Sequence, residues 1–222
     1  MSNKQSSVRS FALALVFSGF VSIGLLLVRI AISGSSRYEF LAWNLLLAAI
    51  PLLISIWLVQ RVAEYGWMKP AQMLLTIFWL SFLPNSFYLI TDFIHLRETY
   101  EVGLLFDIVL LMSFALNGIV LGFASIYLVH KQIIKRIPPL SSMLIIQLVL
   151  LASSFASYLG RYTRWNSWDI VMRPAGLLFD VSDRFINPSL HEQTYLTTIL
   201  IFSLLSSLYL VVWQSAKLTS ER

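Results

Sequence analysis

Six stretches of about 20 mostly apolar residues dominate this chain, and that length is what a helix needs to cross a bilayer. They run over 11–32, 40–59, 71–90, 104–129, 140–160 and 195–213. In hydrocarbon no water is available to bond free N–H and C=O groups, so a spanning segment must satisfy its backbone internally. Six such segments therefore predict an all-α, polytopic bundle of about six transmembrane helices. The 222 residues read as a single integral membrane domain. Composition agrees. Charged residues make up 12% of the chain and mean hydropathy is +0.76, whereas soluble domains carry roughly 25% charged residues. Too few charges are present to coat a surface in water. The first run follows Lys4 and Arg9 but is too long for a secretory signal core, so it reads as a retained first helix.

Net charge is +5. The basic residues lie between apolar runs, which reads as membrane topology and not as nucleic-acid binding. An even number of spans puts both ends of the chain on one side. Lys4, Arg9, Arg61, Lys69, Lys131, Lys135, Arg136, Lys217 and Arg222 then share that side. Arg37, Arg97, Arg161, Arg164, Arg173 and Arg184 lie opposite. The compact Lys131–Arg136 loop weighs most, so both termini are expected inside, on the cytoplasmic face of a membrane. The partners this implies are membrane lipids; the sequence names no protein partner. The chain has no Cys, which excludes disulfides and thiolate metal sites.

Two polar, aromatic clusters interrupt the apolar pattern. One runs from Pro84 to His95, the other from Gly160 to Asp169. Ionisable groups at membrane depth are costly, so their concentration is a functional hypothesis. Two further spans separate the clusters, which therefore fall at the same, extracytoplasmic face. Pro84 removes a backbone donor and predicts a broken third helix. Asn85, Tyr88 and Thr91 form a polar network beside that break.

Asp92 and His95 stand three apart, on one helical face. A carboxylate and an imidazole so placed can act as acid–base partners or share a metal. Asp107, early in the fourth span, is the third candidate, so Asp92, His95 and Asp107 form the expected catalytic or divalent-metal set. The alternative is that Asp92 only caps or pairs and His95 merely sits at the interface. Arg161 and Arg164 share the same spacing and predict a guanidinium fork for an anionic headgroup. Their alternative is internal pairing with the aspartates. Trp165 and Trp168 suit an interfacial aromatic belt. The interleaved Asn166, Ser167 and Asp169 suggest a polar network that would share in headgroup binding. Arg29 reads as a snorkelling singleton and His191 as a solvated loop residue. Gly118-x-x-x-Gly122 and Ala156-x-x-x-Gly160 predict close helix packing. Asn44 reads as an interhelical hydrogen-bonder.

The segment after Arg161 is too long for a turn. Pro174 suits a first helical turn. Leu177, Leu178, Val181, Phe185 and Ile186 recur at helical spacing, which predicts an amphipathic interfacial helix, either a float or a lid. No catalytic fingerprint and no repeat symmetry is present. The functional expectation is a polar extracytoplasmic site serving a lipid-borne or anionic substrate. The alternatives are a structural protein whose two clusters pair with each other, or a binder or transporter.

The stretches Trp79–Leu96, Phe106-Asp107 and Gly160–Asp169 resemble domain of unknown function family 1361, small bacterial multi-pass membrane proteins. The resemblance implies that these residues form one unit and brings no activity with it. Members of that family carry Ala-Pro after the asparagine, where this chain has Ser86-Phe87. The lost second proline implies a gentler break.

Overall fold

The computed structural model describes residues 2–98 and 102–220. Lys4 and Arg222, counted above as inner charges, lie outside the described side chains. The described chain is helical throughout. Its main helices are α1 (Ser2–Ser33), α2 (Phe40–Tyr65), α3 (Pro70–Phe82), α4 (Pro84–Tyr88), α5 (Leu104–Ile133) and α6 (Pro139–Tyr158). Two short helices, α7 (Asp169–Met172) and α8 (Pro174–Ile186), precede α9 (Glu192–Ser220). Six helices are long and apolar enough to cross a membrane: Val8–Ser33, Phe40–Tyr65, Pro70–His95, Leu104–Ile133, Pro139–Thr163 and Glu192–Leu218. The spans expected from composition lie inside these. The helices run further because their ends carry polar residues with partners in the protein.

The expected break at Pro84 is only an 11° bend. Asn85 explains the difference by donating from Nδ2 to the Phe82 carbonyl (3.0 Å), and Ser157 donates to the Pro84 carbonyl (3.4 Å). Neighbouring side chains thus serve carbonyls around the proline, and the helix continues. Past Tyr88 it tightens into a 3₁₀ segment, Leu89–His95. Pro51 in α2 is treated likewise. Ser86 donates to Ala48 O (2.8 Å) and Ser125 to Pro51 O (3.0 Å).

Helix α5 runs through the middle of the bundle, against α1, α2 and α4. Gly118 and Gly122 permit this approach. A Cβ at Gly122 would lie 2.6 Å from the Phe87 ring, and one at Gly118 would strike the Ser86 carbonyl. One apolar core gathers Leu58, Trp79, Phe87, Phe123, Ile146, Leu205 and Tyr209. A second joins Leu26, Tyr38, Leu41, Leu110, Leu111 and Phe114 nearer the other end of α2. Leu13, Phe17 and Phe20 of α1 and Leu196, Leu200 and Val211 of α9 face outward. A membrane-spanning helix presents such side chains to lipid.

Helix α8 has the expected amphipathic character. Leu178, Phe179, Phe185 and Ile186 are exposed. Arg184 is buried and pairs with Asp180. Tyr195 donates to the Arg184 carbonyl (2.6 Å), which ties α8 to α9.

Candidate functional site

The two clusters meet at one end of the bundle. Asp92 has no exposure and forms an ion pair with Arg161, whose side chain is 9% exposed. Asn44 of α2 donates to the other carboxylate oxygen at 3.2 Å. Arg161 also donates from Nε to Thr91 Oγ1 (2.8 Å) and bonds His95 Nε2 from Nη1 (2.9 Å), and its guanidinium lies 4.2 Å from the Tyr88 ring centroid. Since Arg161 can only donate, His95 Nε2 accepts, and the ring is neutral with its proton on Nδ1. Thr91 is held in turn by the Tyr88 carbonyl (2.6 Å). One guanidinium thus fastens the end of the third span to the end of the fifth.

Local backbone geometry builds this arrangement. In the 3₁₀ segment, residues three apart eclipse, which stacks Asp92 under His95. The two face Arg161 in common. The fifth span ends in a π turn, Leu159–Thr163. Arg164 leaves it in the left-handed region at φ 61° and ψ 31°. That conformation is uncommon for a residue with a Cβ. The expected fork on one helical face is therefore not formed by regular helix. Arg161 turns inward and Arg164 stays exposed beyond the helix end. Both nonetheless line one open cleft of about 540 Å³, together with Arg97, His95, Tyr88 and Asn166. Among the described residues, no carboxylate lines it.

Asp107 does not join Asp92 and His95. It pairs with Arg29 at 3.2 Å, with both side chains sealed at 0% and 1% exposure. Among the described residues, no three His, Asp or Glu side chains gather as metal ligands. The expected set of three ligands is thus not assembled, because each aspartate is consumed by its own arginine. Arg29 does not snorkel. It reaches Asp107 and Ser33 from the first span, and its guanidinium lies 5.1 Å from the Tyr38 ring centroid. Tyr38 links the two pairs, donating to the His95 carbonyl at 3.3 Å. Burial pushes the Tyr38 phenol above its ordinary range, and the Asp107 carboxylate adds to the effect. Arg37 donates to the same carbonyl at 3.2 Å.

The second cluster mostly builds its own loop. Trp165 donates from Nε1 to Asp180 (2.6 Å) and packs against Gly176, so it ties α8 down and does not serve as a free belt residue. Trp168 remains exposed at the periphery. Asp169 accepts from the Asn166 backbone N–H (2.8 Å) and pairs with Arg173 (2.9 Å). The Asn166 bond first, and Arg173 after it, hold the Asp169 carboxyl below its usual range. Asn85 donates to Ser167 Oγ at 2.8 Å, joining the two clusters a second time. His191 is not simply solvated but bonds Asp183 at 2.7 Å.

Residue reading missed Arg97, Arg37, Tyr38 and the role of Arg29. One signal was available. Six arginines fall at the end of the bundle opposite the termini, beside the two polar clusters. No curated protein and no solved structure matches the chain. A family model described as Protein of unknown function (DUF1361) matches residues 43–208. The match spans both polar clusters and Asp107 and leaves out α1, which supplies Arg29. This membrane protein therefore belongs to the DUF1361 family.

Proposed function

We propose that the protein binds an anionic group, a phosphate or carboxylate, in the arginine-lined cleft. The supporting observation is that Arg97, Arg161 and Arg164 line about 540 Å³ of open space with no carboxylate among the described residues that line it. Asp92 neutralises Arg161, and among the described residues Arg97 and Arg164 have no ion-pair partner. Arg161 is oriented by its contacts with Asp92, Thr91 and His95, and those use three of its five N–H donors. A guanidinium held in place loses little freedom on meeting a planar or tetrahedral anion. The Lys131–Arg136 loop at the opposite end supports a cytoplasmic location for the termini. The cleft then faces outward from a bacterial cytoplasmic membrane, where the anion is a lipid headgroup or a solute.

Within this reading acid–base chemistry falls to His95, which lines the cleft, while Asp92 and Asp107 lie behind arginines. A structural role also has its own support, since the Asp92–Arg161 pair closes the two clusters on each other. The two readings separate in one experiment. Purified protein in detergent is heated with increasing inorganic phosphate, at constant ionic strength. Binding predicts a rising Tm that Arg164→Gln and Arg97→Gln each reduce without lowering the Tm of the unliganded protein. If phosphate leaves the Tm unchanged, the cleft is not an anion site and the structural role stands.

A further inference from the structure

The cleft does not end at its arginines. A second cavity, of about 190 Å³, adjoins it, and Tyr88, Gly160 and Asn166 line both. Its remaining walls mix polar side chains, Asn44, Asn85, Ser157 and Ser167, with apolar ones. Trp43 and Leu47 come from α2, Ala156 from α6, and Trp165, Ile170 and Leu177 from the loop, α7 and α8. Ser81 and Pro84 mark how far it descends along the third span. At a helical rise of about 1.5 Å per residue, the step from Tyr88 to Ser81 carries it about 10 Å toward the middle of the bundle. Trp43 and Ile170 on its walls are exposed, at 59% and 41%, so the groove opens sideways, onto the surface that faces lipid.

Gly160 admits the Tyr88 ring closely where the two cavities meet. A Cβ at Gly160 would lie 3.1 Å from the Tyr88 ring and 3.4 Å from the Trp165 carbonyl, at the junction of the two cavities. Ala156 lies one turn below it. The close approach expected of Ala156-x-x-x-Gly160 is present at Gly160, against the Tyr88 ring, and both residues also line the groove. The wall facing them hangs from a polar latch, the Trp165–Asp180 bond.

From this geometry we infer that the ligand is a single anionic lipid, with its phosphate among Arg97, Arg161 and Arg164 and the start of one acyl chain in the Trp43–Leu177 groove. This rests on the anion reading above and adds to it the class of molecule. Charged head and apolar tail meet complementary surfaces that are continuous through Tyr88 and Gly160. A free phosphate would use the first cavity alone. Apolar area buried in the groove adds affinity in proportion to chain length.

The test compares probes that share one headgroup. Full-length protein in detergent below its saturation by lipid is titrated with glycerol 3-phosphate and with dihexanoyl phosphatidic acid, and the Tm shift and bound mass are read. Dihexanoyl phosphatidylcholine controls for simple partitioning into the micelle. The expected result is at least about tenfold tighter binding of the phosphatidic acid than of glycerol 3-phosphate, the fold-change that about 1.4 kcal/mol confers. Ala156→Phe should remove that advantage and leave glycerol 3-phosphate binding intact. Leu177→Trp, on the opposite wall, should do the same and serves where Ala156→Phe lowers the yield of folded protein. Equal binding of the two phosphates, or an advantage that survives both variants, overturns the lipid inference and leaves the anion site standing. Failure of both phosphates to bind removes both readings.

Discussion

Two buried ion pairs lie at the same end of this bundle, and they differ in what surrounds them. Arg29–Asp107 is sealed, with 0% and 1% exposure, inside the core formed by Leu26, Tyr38, Leu110 and Phe114. Arg161–Asp92 is buried on the carboxylate side only. Its guanidinium borders an open cleft and touches Thr91, His95 and the Tyr88 ring as well. The first pair couples α1 to α5 and offers nothing to a ligand. The second fixes a cation at the edge of open space. The same chemistry, an arginine on an aspartate, thus serves packing in one place and presents a binding surface in the other. What decides between them is whether water can reach the guanidinium.

The largest expected effect breaks the sealed pair. Breaking a buried ion pair by removing one partner costs about 3–5 kcal/mol. Asp107→Asn should therefore lower the Tm in detergent more than any other single change considered, and phosphate should not restore it. Asp92→Asn should cost less, about 1–3 kcal/mol, because Arg161 can turn to water or to an anion. Added phosphate should recover part of that loss and bind more tightly than to the parent protein. Equal losses in the two variants, both insensitive to phosphate, would erase the contrast.

A smaller effect of opposite sign is expected at Arg164. Its left-handed backbone (φ 61°) favours glycine. Arg164→Gly should raise stability by up to about 1 kcal/mol while weakening anion binding, a combination that thermal melts with and without phosphate detect. A purely structural role for Arg164 predicts no loss of binding.

The smallest effect concerns the loop that carries the second cluster. Asp169 is held low by the Asn166 N–H, and Asp183 by the Asn187 side chain and then His191. Both folded-state values lie below the unfolded one, about 4. The stabilisation is therefore complete above about pH 4 and is lost as pH falls through the folded values. Hydrogen exchange in 166–191 should rise under acid before the spans respond. An unchanged loop down to pH 3 would remove these carboxylates from its support.

Much of the architecture was legible because lipid makes it so. Apolar run lengths mark the spans, and the count of spans places Asn85–His95 and Arg161–Asp169 at one end. The amphipathic spacing of 174–186 marks α8. Pairing was not legible. Asp92, His95 and Asp107 look like one set in sequence, yet Asp107 answers to Arg29 and Asp92 to Arg161. Nor does spacing show that Ser157, from the fifth span, would help hold the third helix to an 11° bend.

By itself the sequence determined a six-span helical protein with its polar residues gathered at one end. These follow from one-dimensional quantities, the length and polarity of each run, because hydrocarbon leaves the backbone no other satisfied form. Only the tertiary structure decided which arginine each aspartate would claim, and therefore which guanidinium groups are left to face the cleft. That choice depends on helix rotation and on the π turn at Leu159–Thr163. Both are set by packing between segments as far apart as Arg29 and Asp107 or Asp92 and Arg161.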